Sequence, residues 1–327
     1  MPRVAVITAA KNAAAFIDDT LDSIQAQTFT DWSHVVVDDG STDDTAARVA
    51  TRADSDPRVR LVQLEHSRGP FAAANLALAD VDAEYVARID ADDIALPERL
   101  QLQLDRLEGS DARACTGGWQ VLGSDGSIGP VRRPPSHSNR VIKWQMWIRN
   151  RLPHSTLFIA TDTMRDYGGY GPERVAEDFR LWSKLARDGR IAAIDEPVVL
   201  WRRSRGQITE SAGARDQPER LRVRLDHISA CDPTGGWTLD DARDFRYLGR
   251  TAPFPVGRAT KLLAAWEAQW ESHAQLTPSE RAELAALSFE LRSRHLRHAF
   301  RGQPIATALA GAATAPALLR QFVDRRR

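Results

Sequence analysis

The chain has 327 residues, with 44 basic and 44 acidic side chains and a hydrophobic content of 43%. That length supports a sizeable core, an enzyme-sized domain with an appendage. The zero net charge argues against a protein built around a nucleic-acid backbone, because there is no global positive field. Two cysteines, Cys115 and Cys231, cannot make a disulfide scaffold, and no CxxC zinc spacing occurs. No run of 18 strongly apolar residues is present to span a bilayer. The first residues read as a strand rather than a signal peptide, and a cytoplasmic setting is expected.

The first hundred residues alternate between strand and helix signals. Val4-Ala5-Val6-Ile7 is a buried-strand run, followed by apolar residues at helical spacing from Ala14 to Gln27. His34-Val35-Val36-Val37 is a second strand, ending at Asp38-Asp39-Gly40-Ser41, and Thr42 to Ala53 is a second helix with Ser41 or Thr42 as its cap. Val59 to Leu64, Gly69 to Ala79 and Tyr85 to Ile89 read as strand, helix and strand. Such alternation predicts βαβ units and a mostly parallel sheet, with ligands beyond the carboxyl ends of the strands. Asp38-Asp39 and Asp90-Ala91-Asp92-Asp93 both stand at such ends.

From Arg113 the pattern changes. Ala114 to Leu122 and Ser127 to Val131 read as strands around an Asp125-Gly126 turn, Val141 to Arg149 as a tryptophan-rich helix, and Ser155 to Ala160 as a strand. Glu177 to Arg187 is an amphipathic helix, and Ile191 to Ile194 and Val198 to Trp201 are two more strands. Residues 204–236 are polar and contain Gly and Pro, as a linker would. Helical patterns follow at Ala259 to Trp270 and Pro278 to Phe300, then an alanine-rich end. The domain reading is 1–205 (nucleotide half about 1–110, acceptor half about 111–205), a linker at 206–236, and a helical region at 237–327.

Four clusters carry chemistry. Carboxylates at Asp90 and Asp92 beyond a strand end can share one hard cation, Mg2+ or Mn2+, with substrate phosphates; Asp92 and Asp93 could equally cap the next helix. Asp39 can accept from a base N–H or a ribose hydroxyl. Arg68-Gly69-Pro70-Phe71-Ala72-Ala73-Ala74-Asn75 opens a helix with small residues, where Arg68 offers a fork to a base or phosphate. Gly168-Gly169-Tyr170 precedes Glu177-Asp178, an acidic pair at a helix start, stabilised by the helix dipole or serving as a general base.

The order of these clusters resembles the family 2 inverting glycosyltransferases with the GT-A fold, over residues 3–205. The resemblance implies a mostly parallel nucleotide-binding sheet flanked by helices, with a C-terminal helical extension. It implies that Asp39 contacts the nucleobase with Arg68 nearby, that Asp90 contacts the ribose side, that Asp92 binds the Mn2+ or Mg2+, and that Asp178 is the catalytic base. Two positions depart from the family pattern. Lys11 stands where a base-stacking tyrosine is usual, and Trp201-Arg202-Arg203-Ser204 lacks a histidine common after the last strand.

Trp119, after Gly117-Gly118, can stack on a sugar or fill the core. His154 can line an acceptor cleft or be structural. Trp144 and Trp147 can guard an entrance or pack. The substrate-binding set read from the sequence is therefore Ala9, Asp39, Arg68, Asp90, Trp119, His154 and Glu177, beside catalytic Asp178 and metal-binding Asp92. Pro304 to Leu319 is uncharged and precedes a basic end, so a peripheral contact with the inner membrane face competes with packing on the protein or on a second subunit.

The expected activity is metal-dependent, inverting transfer of a sugar from a nucleoside-diphosphate sugar to an acceptor hydroxyl, carbohydrate or lipid-linked, in polysaccharide or glycoconjugate synthesis, with no nucleic-acid partner. The alternatives are a nucleotidyltransferase, which would want a glycine-rich basic loop that Ala9-Ala10-Lys11-Asn12-Ala13 does not supply, and an inactive scaffold of the same fold.

Overall fold

The computed structural model describes residues 1–171, 176–203, 218–248, 256–273 and 275–299. Cα proximity divides it into two compact units, Met1–Ala242 and Arg243–Arg327.

The first unit is built on an eight-stranded sheet in the order β3-β2-β1-β4-β7-β6-β8-β5. Its nucleotide half holds β1 (Val4–Ala10), β2 (Trp32–Asp38), β3 (Val59–Gln63) and β4 (Tyr85–Arg88), all parallel. β1, β2 and β4 are short, almost fully buried runs, as strands covered on both faces must be, while β3 at the sheet edge is only partly buried. The period of two decides which face each side chain meets. Val4, Val6 and Val36 pack with α1 (Ile17–Gln25), α2 (Thr45–Ser55) and α4 (Arg99–Glu108), while Ala5, Ile7, Val35 and Val37 pack with α3 (Pro70–Ala79) on the other side. Helix α1 earns its place through Ile17, Leu21 and Ile24, spaced to form one buried stripe.

The other half departs from the parallel expectation. β7 (Phe158–Ala160) runs antiparallel to both β4 and β6 (Ala114–Leu122), β8 (Ile191–Arg202) is parallel to β6, and the two-residue β5 (Ile94–Ala95) is antiparallel to β8. The sheet is therefore mixed. The two expected strands at 191–194 and 198–201 are one strand, β8, with an irregular register opposite Gly117-Gly118. A Cβ on Gly118 would lie 2.5 Å from the Asp195 carbonyl oxygen, so only glycine lets the strands close there.

Three further expectations are corrected. Ser127 to Val131 is not a strand; isolated bridges Leu122–Ile128 and Trp119–Arg132 replace it, because Asp125 draws the chain into a turn by accepting from the Ser127 N–H and hydroxyl. Ser155 to Ala160 starts as a 3-10 turn, His154–Thr156, since the Thr156 hydroxyl and N–H both bond back to the Pro153 carbonyl. The span 206–236 is not all linker: α8 (Pro218–Cys231) lies within it, burying Leu221, Val223, Arg224, His227 and Ile228. Its polar composition hid a buried face in which Arg224 and His227 join Leu221, Val223 and Ile228. Between β6 and α8 lie α5 (Asn139–Gln145), α6 (Thr161–Asp166) and α7 (Glu177–Arg187).

The chain passes into the second unit along α9 (Leu239–Tyr247). That unit holds α10 (Val256–Glu271) and α11 (Pro278–Ala299), where Leu262, Leu263, Trp266, Trp270, Leu284 and Leu291 are buried. Arg292 and Ser288 both bond to Glu267 across the pair. No helix among the described residues is long and apolar enough to cross a membrane. The Pro304 to Leu319 segment lies outside the described residues.

Candidate active site

The site lies where β1, β2 and β4 end. Asp38 and Asp39 are both buried there. Asp38 accepts from the N–H and hydroxyl of Ser41, closing a tight turn. Asp39 accepts from the Ser67 hydroxyl at 2.6 Å, the Arg68 N–H at 2.6 Å and the Gly69 N–H at 3.0 Å. Three donors on one buried carboxylate fix the loop that enters α3 and present Arg68, whose exposed guanidinium has no partner among the described residues. Gly69, at φ 95°, gives that loop its turn. Across the strand ends, Asn12 accepts from the Thr42 N–H at 2.9 Å and donates its own N–H to Ser41. Ala13 and Ala14 donate to Thr45 and Asp43. Ala9 sits partly buried in the last turn of β1 between these loops, and Lys11 is exposed.

The second loop, 90–93, stands on two buried arginines. Arg88 is 3% exposed and pairs with Asp90 at 2.8 Å. Arg99 is fully buried, bonds to the Arg88 and Leu157 carbonyls and to Gln103, and is pushed down to about 9 by desolvation. Burial raises the Asp90 carboxyl, but Arg88, the Ser155 hydrogen bond and Arg99, among others, together outweigh it and hold the group below its ordinary value. Asp93 is buried, accepts from the Arg202 N–H at 2.8 Å and from the Ser155 hydroxyl, and is held well above the carboxylate range by burial and by its neighbours Asp90 and Asp92. Asp93 is thus the internal strut of the loop, and Asp92 is its partly exposed member. Arg202 tightens the loop by donating to the Asp92 carbonyl at 2.7 Å and pairing with Asp19.

Among the described residues no three His, Cys, Asp or Glu side chains converge as a metal cage. The oxygen donors at Asp90 and Asp92 fit a hard cation that takes one or two carboxylates and completes its shell with phosphate oxygens and water. They do not fit a thiolate- or imidazole-bound ion.

The acceptor side is assembled from distant segments. Asn75 on α3 donates to the Tyr170 carbonyl at 2.7 Å and accepts from the Tyr170 N–H at 2.8 Å. This clamp explains Asn75, which helix packing alone does not require. It also needs Gly169, at φ 65°, whose Cβ would stand 2.5 Å from the Asn75 oxygen. The Tyr170 hydroxyl meets His154 Nε2 at 2.8 Å, and Phe71 lies against both rings. Burial and Arg88 depress His154 to about 3, so it is neutral, and burial raises the Tyr170 hydroxyl. His154 therefore stands against Tyr170 as a neutral hydrogen-bonding group.

Asp178, on the first turn of α7, completes it. Burial raises its carboxyl above the ordinary value and the nearby Asp90 charge adds to this; the Phe179 N–H, Arg220 and Asn150, which donates at 3.3 Å, pull the other way. Ala176, just before, is in the left-handed region at φ 68°, strain of the sort that gathers at functional sites. Glu177 is 1% exposed and turned inward. Trp119 is half-buried beside the Gly117-Gly118 irregularity. Trp144 and Trp147 are buried, 5.6 Å apart, with Trp237 edge-on to Trp147 at 5.3 Å; they pack, and guard no entrance.

The structure brings Asp90, His154 and Asp178 near one another: Arg88 pairs with Asp90, Tyr170 bonds His154, and Asn150 bonds Asp178, which feels the Asp90 charge. Sequence reasoning missed Arg88, Arg99, Asn150 and Arg220. A basic residue at the end of a buried strand was a usable signal for Arg88; the others carry none.

A sheet whose first half is parallel, with aspartates at its strand ends, continued by a mixed second half, defines the GT-A class of nucleotide-sugar folds. The same fold occurs in residues 1–349 of S. aureus TarS in complex with UDP-GlcNAc (TM-score 0.61, 19% identity, 92% of each chain), and in the Pyrobaculum calidifontis mannosyltransferase PcManGT in complex with GDP-Man and Mn2+ (TM-score 0.55, 22% identity, 92% of this chain and 88% of that one). Residues 5–165 match the family model Glycosyl transferase family 2. An uncharacterized glycosyltransferase of Haemophilus influenzae is 28% identical over 70% of this chain and 74% of its own length. The Escherichia coli UDP-Glc:alpha-D-GlcNAc-diphosphoundecaprenol beta-1,3-glucosyltransferase WfgD is 25% identical over 68% of this chain and 84% of its own. The match marks residues 5–165 of this chain as a glycosyltransferase family 2 domain, and the relatives and fold agree that the chain is a glycosyltransferase. The nucleotidyltransferase and inactive-scaffold alternatives fall with that assignment.

Proposed function

We propose that the chain transfers a sugar from a nucleoside-diphosphate sugar to an acceptor hydroxyl with inversion at the anomeric carbon. Asp178 takes the acceptor proton as the hydroxyl oxygen bonds to that carbon, and the bond to the diphosphate breaks on the opposite face. One displacement suffices, and among the described residues two neighbouring carboxylates have work of their own: Asp90 is engaged by Arg88 and Asp93 is buried in its loop. Asp92, with Asp90 beside it, would hold a Mn2+ or Mg2+ ion, which supplies charge neutralisation on the leaving diphosphate. Asp39 fixes the 67–69 loop so that Arg68 and the loop backbone meet the nucleotide, and Lys11 takes the place of an aromatic shelf for the base. The acceptor is a carbohydrate, free or lipid-linked; the name of WfgD describes one of the latter kind.

The observation that carries this reading is Asp178, a partly exposed carboxylate whose pKa burial and the nearby Asp90 raise. A raised pKa makes its carboxylate the stronger acceptor of a hydroxyl proton. The test is a screen of nucleotide sugars with and without Mn2+, followed by the anomeric configuration of the product by NMR. Retention of configuration, or transfer unaffected by chelation and by Asp92→Asn, defeats the reading.

A further inference from the structure

Strand β8 ends on Arg202, and that residue reaches the 90–93 loop twice. Its N–H donates to the Asp93 carboxylate at 2.8 Å and its Nε to the Asp92 carbonyl at 2.7 Å. The rest of the guanidinium is held by the start of α1. A terminal nitrogen pairs with Asp19 at 2.6 Å, and Cζ lies 4.9 Å from the centre of the Phe16 ring. Farther along the same helix, the Thr20 hydroxyl donates to the Asp93 carbonyl at 2.8 Å, and the Ser23 hydroxyl accepts from the Ala95 N–H at 3.1 Å. Phe16, Asp19, Thr20 and Ser23 stand at helical spacing, so one face of the helix runs along the loop. The Asp93 N–H, in turn, donates to the Asp90 carbonyl at 3.2 Å. The peptide between Asp92 and Asp93 is therefore held at both its C=O and its N–H.

The direction of a side chain follows from the backbone that carries it. A planar peptide bonded on both edges leaves the Cα–Cβ bond of Asp92 little freedom to swing. Groups that orient a metal ligand in this way set its affinity, and removing one typically costs about 10- to 100-fold. Asp19 acts in a second way, because it offsets the guanidinium charge, which alone would oppose a cation at Asp92. We infer that Arg202, anchored on Asp19 and Phe16, is a positioning residue of the cation site, aiming the Asp92 carboxylate before the nucleotide arrives. The first turn of α1 thereby serves that site without offering it a ligand. The inference rests on the proposed role of Asp92 as the ligand.

The probe is Mn2+ alone, titrated into the full chain and followed by the EPR signal of the free ion. The two accounts of Arg202 differ in sign. Arg202→Gln removes a positive charge from beside a cation, which by Coulomb attraction alone would tighten binding; loss of a positioning group should instead weaken it by about 10-fold. Asp19 is exposed, so Asp19→Asn tests the same brace without touching the interior. It should weaken Mn2+ binding about 2- to 5-fold, the scale of an exposed ion pair. Asp18→Asn is the control: it removes an equal charge from the same turn, but its carboxylate pairs with Arg48 of α2, and Mn2+ binding should be unchanged. Metal-free binding of the nucleoside diphosphate should be the same in all three. Tighter or unchanged Mn2+ binding in Arg202→Gln overturns the inference, and so does equal weakening by Asp18→Asn and Asp19→Asn, which would reduce the effect to net charge. If Arg202→Gln also loses metal-free nucleotide binding, its fold is disturbed and the Asp19 and Asp18 pair decides by the same criterion. Asp92→Asn separates the two readings: Mn2+ binding lost there but kept in Arg202→Gln defeats the positioning role alone, whereas binding kept in Asp92→Asn defeats the ligand.

Discussion

Single side chains in this site are set by charge and burial acting against each other. Asp178 is raised by burial, so kcat/KM should fall as pH drops through a value above the ordinary carboxylate pKa, and Asp178→Asn should lose about 10²–10⁴-fold in turnover while nucleotide binding persists. A pH-rate profile and nucleotide titration check both. Asp92→Asn removes a charge from a partly exposed loop position and leaves the buried strut Asp93 in place. It should keep the melting temperature within a few degrees and abolish the Mn2+ effect on nucleotide affinity, measured by calorimetry. His34 offers a prediction away from the site. The Thr8 hydroxyl donates to the Ile89 carbonyl and so accepts from His34 Nε2–H, leaving Nδ1 buried without a partner. Desolvation depresses this histidine to about 3. Its folded value is below the unfolded value, so its contribution is fully present above about pH 6.5 and is lost as pH falls towards 3, at about 1.4 kcal/mol per pH unit. His34→Leu should flatten that part of the stability–pH curve, read from urea midpoints between pH 7 and 4.

At the scale of elements, the decisive contacts join segments far apart in the chain. Asp39 holds residues 67–69, α3 carries on from there, and Asn75 on α3 grips Tyr170. The nucleotide loop and the acceptor-side tyrosine are thus the two ends of one rigid helix. Asn75→Ala would leave the Tyr170 N–H and carbonyl without partners, costing about 1–3 kcal/mol. It should lower transfer more than nucleotide affinity, because His154 and Tyr170 lose their placement. Differential denaturation and separate kcat and nucleotide Kd measurements test this; a variant with wild-type stability and turnover would show the clamp to be dispensable. Gly169→Ala should mimic it, since the new methyl meets the Asn75 oxygen on a backbone already at positive φ.

For the whole molecule, charge and compactness divide the chain at different places. Residues 1–201 carry 23 basic and 30 acidic groups and residues 202–327 carry 21 and 14, yet the first compact unit runs to Ala242 and takes α8 from the basic part. A chain ending at Thr238 keeps α8 and the Trp147–Trp237 contact, so it should unfold cooperatively and bind nucleotide with Mn2+ as the full chain does. A chain ending at Arg203 lacks α8 and should lose stability, because the Arg224 anchor and the buried face of α8 go with it. Thermal melts of the two, side by side, decide whether the catalytic unit ends with the sheet or with α8.

The sequence by itself determined the nucleotide half. Short β-branched runs alternate with amphipathic helices there, and period two against period 3.6 is a local signal that needs no partner to be legible. The same locality made Asp39, Asp90, Asp92 and Asp178 stand out, since each follows a strand or opens a helix. Only the tertiary structure decided the antiparallel direction of β7, which depends on what pairs with a three-residue strand. It alone decided the inclusion of α8 in the first unit, because Arg224 and His227 share its buried face with Leu221 and Ile228 and make the segment read as polar. The settings of Arg88, Arg99, Asn75 and Arg220 were likewise hidden. Arg99 and Asn75 bond to backbone groups of other elements, at residues 88, 157 and 170, and a side chain's partner, unlike its periodicity, is seldom written in its own neighbourhood.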